Sequence, residues 1–238
     1  MKIALIGYGK MGKEIEKIAL DKGYKIGLKV TSENANYSSE ELTSCDVAIE
    51  FSRPEFAYEN IMKCMEANVP VVVGTTGWYD RFDEVERICE EKQNALLYAT
   101  NFSVGVNIFF KINTLLAKYM NKQNYSVKVE EIHHTQKLDA PSGTGISIGE
   151  QIIDEIDGLT TWENKATTSK GILPIISKRI DPAPGTHIVT YNNDIDTIKI
   201  EHTAHNRKGF ASGAVLAAEF LVDKEGVFTM DDVLKLND

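Results

Sequence analysis

Cysteine is scarce in this 238-residue chain, which carries three: Cys45, Cys64 and Cys89. Three thiols cannot all pair and none has the spacing of a metal-ligand set, which disfavours both a disulfide-stapled scaffold and a metal module. Cys64 and Cys89 fall on the apolar faces of helical patterns, so buried, reduced thiols in the cytoplasm are expected. Long apolar runs are missing too. None approaches the roughly 20 residues of a membrane span, and Met1-Lys2 runs directly into a short strand pattern rather than into a signal sequence. Excess positive charge is also absent. Against 35 Asp and Glu there are 26 Lys and Arg, a net charge of −9 that argues against nucleic acid or an anionic membrane as partner. An anionic substrate would therefore need a local cluster of positive groups. No internal repeat or low-complexity segment interrupts the chain. With 42% hydrophobic and 26% charged residues, it is an ordinary globular sequence long enough for one large or two modest domains.

The first hundred residues alternate strand and helix. Ile3–Ile6 is a β-rich run; Met11, Ile15, Ile18 and Ala19 then recur at helical spacing up to Gly23. Strand patterns follow at 24–30, 46–51, 69–73 and 95–99, separated by helical faces such as Ala57, Ile61, Cys64, Met65 and Val85, Ile88, Cys89. Residues 37–44 read as a loop with a short helix. Strands divided by helices predict a doubly wound parallel sheet, an α/β arrangement. Beyond residue 103 the pattern changes. A long apolar helix over 104–120 is followed by a strand at 125–132 and a helix from 142 to about 156. Strands at 172–180, 186–191 and 197–203 then follow one another without intervening helices, which predicts a mixed sheet and an α+β second domain. A last helix is predicted over 210–222. The expected domains are 1–102 with 209–238, and 103–208.

Gly7-Tyr8-Gly9-Lys10-Met11-Gly12 follows a strand and opens a helix, the context of a dinucleotide fingerprint. Gly7 suits the tight turn, Gly9 lets a pyrophosphate reach the backbone, and Gly12 permits close helix–strand packing. An acid about twenty residues on would hold a ribose 2′-hydroxyl, but Thr31 and Ser32 stand there, with Glu33 slightly late. Nothing at that position repels a 2′-phosphate, so NADPH should serve at least as well as NADH. The other strand ends are polar or glycine-rich: Ser52-Arg53-Pro54, Gly74-Thr75-Thr76-Gly77 and Thr100-Asn101-Phe102-Ser103. Ligands of open α/β sheets bind at the carboxyl ends of the strands, so these loops are expected to line the nicotinamide end of the site. Ordinary turn chemistry is the plainer reading of each loop taken singly.

The most informative stretch is Glu131–Gly145, EIHHTQKLDAPSGTG. His133, His134 and Lys137 precede Pro141, Ser142, Gly143 and Thr144, after which Ile146, Ile148, Gly149, Ile152 and Ile153 turn helical. Ser142 is the expected N-cap. The first amides of a helix lack internal partners and attract anions, and Gly143 has no side chain to obstruct one. With Lys137 and an imidazole alongside, the result is a carboxylate pocket furnished with a proton donor. Two other readings stay open on the residues alone: a different nicotinamide-dependent oxidoreductase of an amino or keto acid, and a dinucleotide sensor without turnover.

The pieces GYGKMG (7–12), FSRPE (51–55), GTTG (74–77), ATNFSVGVN (99–107), EIHHTQKLDAPSGTG (131–145) and HTAHNRKGFASGAV (202–215) together resemble the 4-hydroxy-tetrahydrodipicolinate reductase (dihydrodipicolinate reductase) family of lysine and diaminopimelate biosynthesis. The resemblance spans almost the whole chain in family order. It implies an NAD(P)H-binding Rossmann-type domain, an α+β substrate domain whose open sheet assembles a homotetramer, and a cyclic dicarboxylate substrate. By the family pattern His133 is the proton donor and Lys137 a second one. His134, Lys137, Ser142, Gly143 and Thr144 are implied substrate contacts. Gly7, Tyr8, Gly9, Lys10, Met11, Gly12, Thr31, Ser32, Ser52, Gly74, Thr75, Thr76, Ala99, Thr100, Asn101 and Phe102 are implied or expected cofactor contacts. No metal is implied. Thr135-Gln136 stands where many members carry basic residues, and the loop around 31–44 is short for the family.

Overall fold

The computed structural model describes residues 1–236. From the N-terminus the elements are β1 (Lys2–Ile6), α1 (Lys10–Asp21), β2 (Lys25–Val30), α2 (Ser39–Leu42), β3 (Val47–Glu50), α3 (Pro54–Glu66), β4 (Val71–Val73), α4 (Phe82–Glu91), β5 (Ala95–Tyr98) and α5 (Val104–Met120). The second half runs β6 (Ser126–His133), α6 (Gly143–Glu155), β7 (Thr161–Glu163), β8 (Ile172–Arg179), β9 (Gly185–Asn192), β10 (Thr197–Ala204), α7 (Lys208–Leu221), β11 (Gly226–Phe228) and α8 (Met230–Leu234). Two compact units result: Met1–Val104 together with the chain from Lys208 onward, and Gly105–Arg207.

The first unit is built on a six-stranded sheet in the order β11-β5-β4-β3-β1-β2, with every pairing parallel. The inner strands β1, β3, β4 and β5 are buried on both faces because helices cover both. On one side Ala4, Ile6 and Val71 pack against Ala57, Ile61, Cys64 and Met65 of α3 and Val85 and Cys89 of α4. On the other, Ile3, Leu5 and Val72 meet Ile15 and Ala19 of α1 and Ala214, Val215, Ala218 and Leu221 of α7. Each large aliphatic side chain so buried contributes about 1.5–3 kcal/mol. The small residues of α7 have a steric cause. A Cβ on Gly213 would lie 1.7 Å from the Phe102 carbonyl oxygen, so only glycine lets the helix seat on the chain leaving β5. All three cysteines are free and buried, and burial pushes the Cys89 thiol up to about 11.

The second unit is a mixed five-stranded sheet in the order β10-β9-β6-β8-β7. β8 lies parallel to β6, and β9 runs antiparallel to both β6 and β10. Val129, Leu173, Ile175, Val189 and Tyr191 face a core completed by Phe109 and Ala117 of α5 and Ile148 and Ile152 of α6. The opposite face carries Ile132, Ile176 and Ile188, all half-buried, interleaved with an ion-paired row in which Lys128 and Lys178 both lie 2.9 Å from Glu130.

Two short strands lie outside the periodicities read from the sequence. The last element is not the helix expected over 210–222. β11 and α8 follow it, and β11 adds a sixth strand by pairing Val227 with Leu96. β7 likewise extends the second sheet. Each of these strands has three residues, too few to register a period of two.

Candidate active site

In the first unit the residues expected to touch a cofactor gather at the carboxyl ends of β1, β3, β4 and β5, which are neighbours in the sheet. Gly7 turns with φ +93°, and a Cβ there would strike the Phe51 carbonyl oxygen at 2.1 Å. A Cβ on Gly12 would lie 2.4 Å from the Gly7 oxygen, whereas one on Gly9 meets nothing within 4 Å. Gly9 is also the N-cap of α1 and supplies no side-chain cap. Open space in front of uncapped amides suits the pyrophosphate of a dinucleotide. Around it, the Ser52 amide donates to Thr75 Oγ1 at 2.8 Å, and Phe51 fills the space beside Gly74, where a Cβ would sit 2.2 Å from its ring. Phe102 is buried against Phe51, with ring centroids 5.4 Å apart. The Asn101 side chain accepts the Ser103 amide at 2.9 Å.

After β2, the Thr31 amide and hydroxyl both donate to Asn34 Oδ1, at 2.6 and 3.1 Å, and Asn34 donates in turn to the Lys29 carbonyl at 2.9 Å. Tyr8 hydrogen-bonds Glu16 through its hydroxyl, and Glu16 pairs with Lys29 at 2.5 Å. Lys29 is thus held by an acid of α1. Beneath Ser52 lies Glu50, a carboxyl with no solvent exposure; burial raises it above the usual range against hydrogen bonds from Ser52 and Asn60.

In the second unit β6 ends at His133, and a turn closed by the Lys137 amide on the His134 carbonyl (3.1 Å) leads toward α6. Ser142 caps α6 as expected, its hydroxyl accepting the Gly145 amide at 3.1 Å. The same hydroxyl lies 3.2 Å from His187 Nε2, and Ser142 is almost wholly buried. A Cβ on Gly143 would meet nothing within 4 Å, so the first turn of the helix opens on space. The Lys137 ammonium pairs with Asp139 at 2.8 Å, and His134 Nδ1 is buried without a hydrogen-bond partner. Thr135 is tied down through its amide and hydroxyl, at 3.0 and 2.6 Å from Asp181.

The sequence reading assigns no role to three residues of this site: Glu131, Arg179 and His187. Glu131 Oε2 is 2.6 Å from His133 Nδ1, and its Oε1 accepts from Arg179 at 3.0 Å. The Nδ1 contact is a close ion-pair distance set off the line of the N–H rather than an aligned hydrogen bond. Burial alone would raise the Glu131 carboxyl, but His133, Ser142, Ser177 and Arg179 together hold it well below the usual carboxylate range. His187, pushed down to about 3 by burial first and by neighbouring His133 second, is neutral at pH 7. Donor atoms of Glu131, His133 and His187 lie within 4.8 Å of one another, a spacing that could hold a metal. The Arg179 guanidinium on the same carboxylate opposes a second cation there.

Comparison with known proteins matches both parts of the chain to family descriptions. Residues 1–102 match the dihydrodipicolinate reductase N-terminus, and residues 105–234 match its C-terminus. A 4-hydroxy-tetrahydrodipicolinate reductase of Christiangramia forsetii is 48% identical over 98% of both chains. One from Neisseria gonorrhoeae is 34% identical, covering 93% of this chain and 84% of the relative. A dipicolinate-bound dihydrodipicolinate reductase from Paenisporosarcina sp. TG-14 superposes with TM-score 0.78 at 22% identity, over 96% of this chain and 97% of that one. The parallel sheet, the mixed sheet and the whole-length match agree: this chain belongs to the dihydrodipicolinate reductase family.

Proposed function

We propose that this chain reduces 4-hydroxy-tetrahydrodipicolinate to tetrahydrodipicolinate with NAD(P)H, in the biosynthesis of diaminopimelate and lysine. The observation that carries the reading is the placement, within one unit, of His133 and Lys137 just ahead of the Ser142-capped N-terminus of α6. Family membership and the open space at Gly9 support the cofactor. Residues 7–12 would hold its pyrophosphate, Thr31 and Ser32 its adenosine ribose, and Ser52, 74–76 and 99–102 its nicotinamide end. When bound, the nicotinamide supplies the hydride. The first-turn amides at Gly143 and Thr144, with Lys137 and His134, take the substrate carboxylates. Ser142 contributes to the substrate contact and, through its hydroxyl bonds to Gly145 and His187, shapes that turn. The 4-hydroxyl leaves as water, the hydride adds to the resulting unsaturated ring, and His133 delivers the proton that balances that hydride, with Lys137 as the second donor and as counter-charge.

On this reading residues 1–102 and 209–238 form the dinucleotide-binding domain, and 103–208 the substrate-binding and tetramerisation domain of a cytoplasmic homotetramer. The half-buried Ile132, Ile176 and Ile188, on the sheet face that α5 and α6 leave uncovered, support association.

The test is a coupled assay in which dihydrodipicolinate synthase, pyruvate and aspartate semialdehyde generate the substrate. NADPH consumption is expected, with kcat/KM at least equal to that for NADH. His133→Gln should lower kcat by about 10²-fold with little change in KM. No oxidation of either nucleotide would overturn the reading. Near wild-type kcat in His133→Gln, with loss in His134→Gln, would transfer the proton to the other imidazole.

A further inference from the structure

A carboxylate with no exposure at all stands at the head of the apolar face of β6. Val129, Glu131 and His133 alternate along the strand and point to the same side of the sheet, over Val189 and Ile175 of the neighbouring strands. Burying an unpaired charge there costs several kcal/mol, so the groups gathered round it are informative. Arg179, directly opposite His133 in the parallel register of β8, answers the charge at 3.0 Å. The guanidinium then reaches further. Its Nη2 donates to the Asp139 carbonyl at 2.6 Å and its Nε to the Lys137 carbonyl at 3.2 Å. One carboxylate–guanidinium pair therefore touches the imidazole of His133 at one end and the backbone carrying Lys137 at the other.

We propose that Glu131 and Arg179 are positioning residues, which fix the tautomer of His133 and set Lys137 beside it. A carboxylate offers acceptors only. With Oε1 held by Arg179, Oε2 stands 2.6 Å from His133 Nδ1, off the line of the N–H, and its negative charge favours the proton on that nitrogen. Nε2 is left as the atom that gains and loses the transferable proton. It lies next to Gly185, where a Cβ would come within 3.0 Å, so that glycine keeps the space around it clear. The inference deepens the proposed function and rests on His133 being its proton donor.

The charge pattern gives a sharp test. In Glu131→Gln the amide has a single acceptor, which the guanidinium claims, and so the NH₂ turns to His133. Nδ1 must then accept, and the neutral ring switches its proton to Nε2. Nitrogen-15 NMR of the imidazoles, with His133 assigned by its loss in His133→Gln, reads the tautomer directly and needs no turnover. The expected result is Nδ1–H in the wild type, Nε2–H in Glu131→Gln, and Nδ1–H restored in Glu131→Gln/Arg179→Met, where the amide oxygen is released. In the coupled assay Glu131→Gln should lower kcat about 10–100-fold, the scale of losing a supporting partner, with KM for the dicarboxylate changed less than about threefold. A wild-type ring protonated at Nε2 overturns the inference, even if no variant folds. So does a Glu131→Gln enzyme with unchanged kcat. A wild type that shows Nδ1–H yet consumes no nucleotide instead refutes the proposed function and leaves the positioning role standing.

Discussion

Ser142 and His187 share a 3.2 Å hydrogen bond that ties the first turn of α6 to β9 of the second sheet. The histidine in this pair is buried, and its imidazolium form is suppressed to about pH 3. In the unfolded chain a histidine titrates near 6.5. The unfolded state therefore binds the proton first, and the contribution of His187 is complete above about pH 6.5 and lost as pH falls toward 3. At pH 5 the loss from this group alone is about 2 kcal/mol. Urea unfolding of the wild type at pH 7 and pH 5, set beside His187→Asn, should show a fall in stability that the variant largely lacks. Equal falls in both proteins would rule out His187 as the source.

The three fingerprint glycines should separate by role. Gly7→Ala and Gly12→Ala drive a methyl into backbone carbonyl oxygens 2.1 and 2.4 Å away, and each should cost about 2–4 kcal/mol of stability. Gly9→Ala puts its methyl into open space before α1. Its melting temperature should stay within a few degrees while NADPH affinity drops at least about tenfold. Calorimetry and fluorescence titration read the two effects. Unchanged nucleotide binding in Gly9→Ala would remove the pyrophosphate from that terminus.

The outer face of the second sheet offers a test of association. Ile176 lies beside Glu130 in the register, and Glu130 beside Ile188 on its other flank, so an apolar row crosses three strands through one acid. Replacing Ile176 by lysine at a face that another copy covers buries an unpaired charge, and should dissociate the assembly at micromolar concentration. Light scattering that gives the same mass for wild type and variant, or a monomeric wild type, counts against a tetramer built on this face.

How far the sequence could be read depended on how local each signal was. The cap at Ser142 is closed by Gly145, three residues on, and the turn at Gly7-Tyr8-Gly9 announces itself by its glycines, although the Val30 carbonyl holds it and the Phe51 carbonyl crowds it; both are present where the pattern put them. The partner of Glu131 is Arg179, 48 positions away, brought opposite by a register that no local spacing encodes. A partial signal did exist. An acid two residues before a histidine, in step with Val129, is an odd occupant of a buried strand face. His187 lies within an alternating strand and reads as one more inward position. The ion pair between Lys29 of β2 and Glu16 of α1 is another contact that no local spacing encodes.

The sixth strand has a consequence for how the protein is made. β11 closes the edge of β5, and the carbonyl of Gly226 comes to the thiol of Cys89 from 137 residues further along the chain. On a ribosome the first five strands emerge early, yet β5 keeps an open hydrogen-bonding edge until the whole of the second unit and then Gly226–Phe228 have been added. Exposed edges of that kind recruit foreign strands. From the completion of β5 to that of β11 the nascent protein thus carries an adhesive side, and a message truncated shortly before Gly226 releases a product that has every fingerprint residue and lacks the strand that covers it.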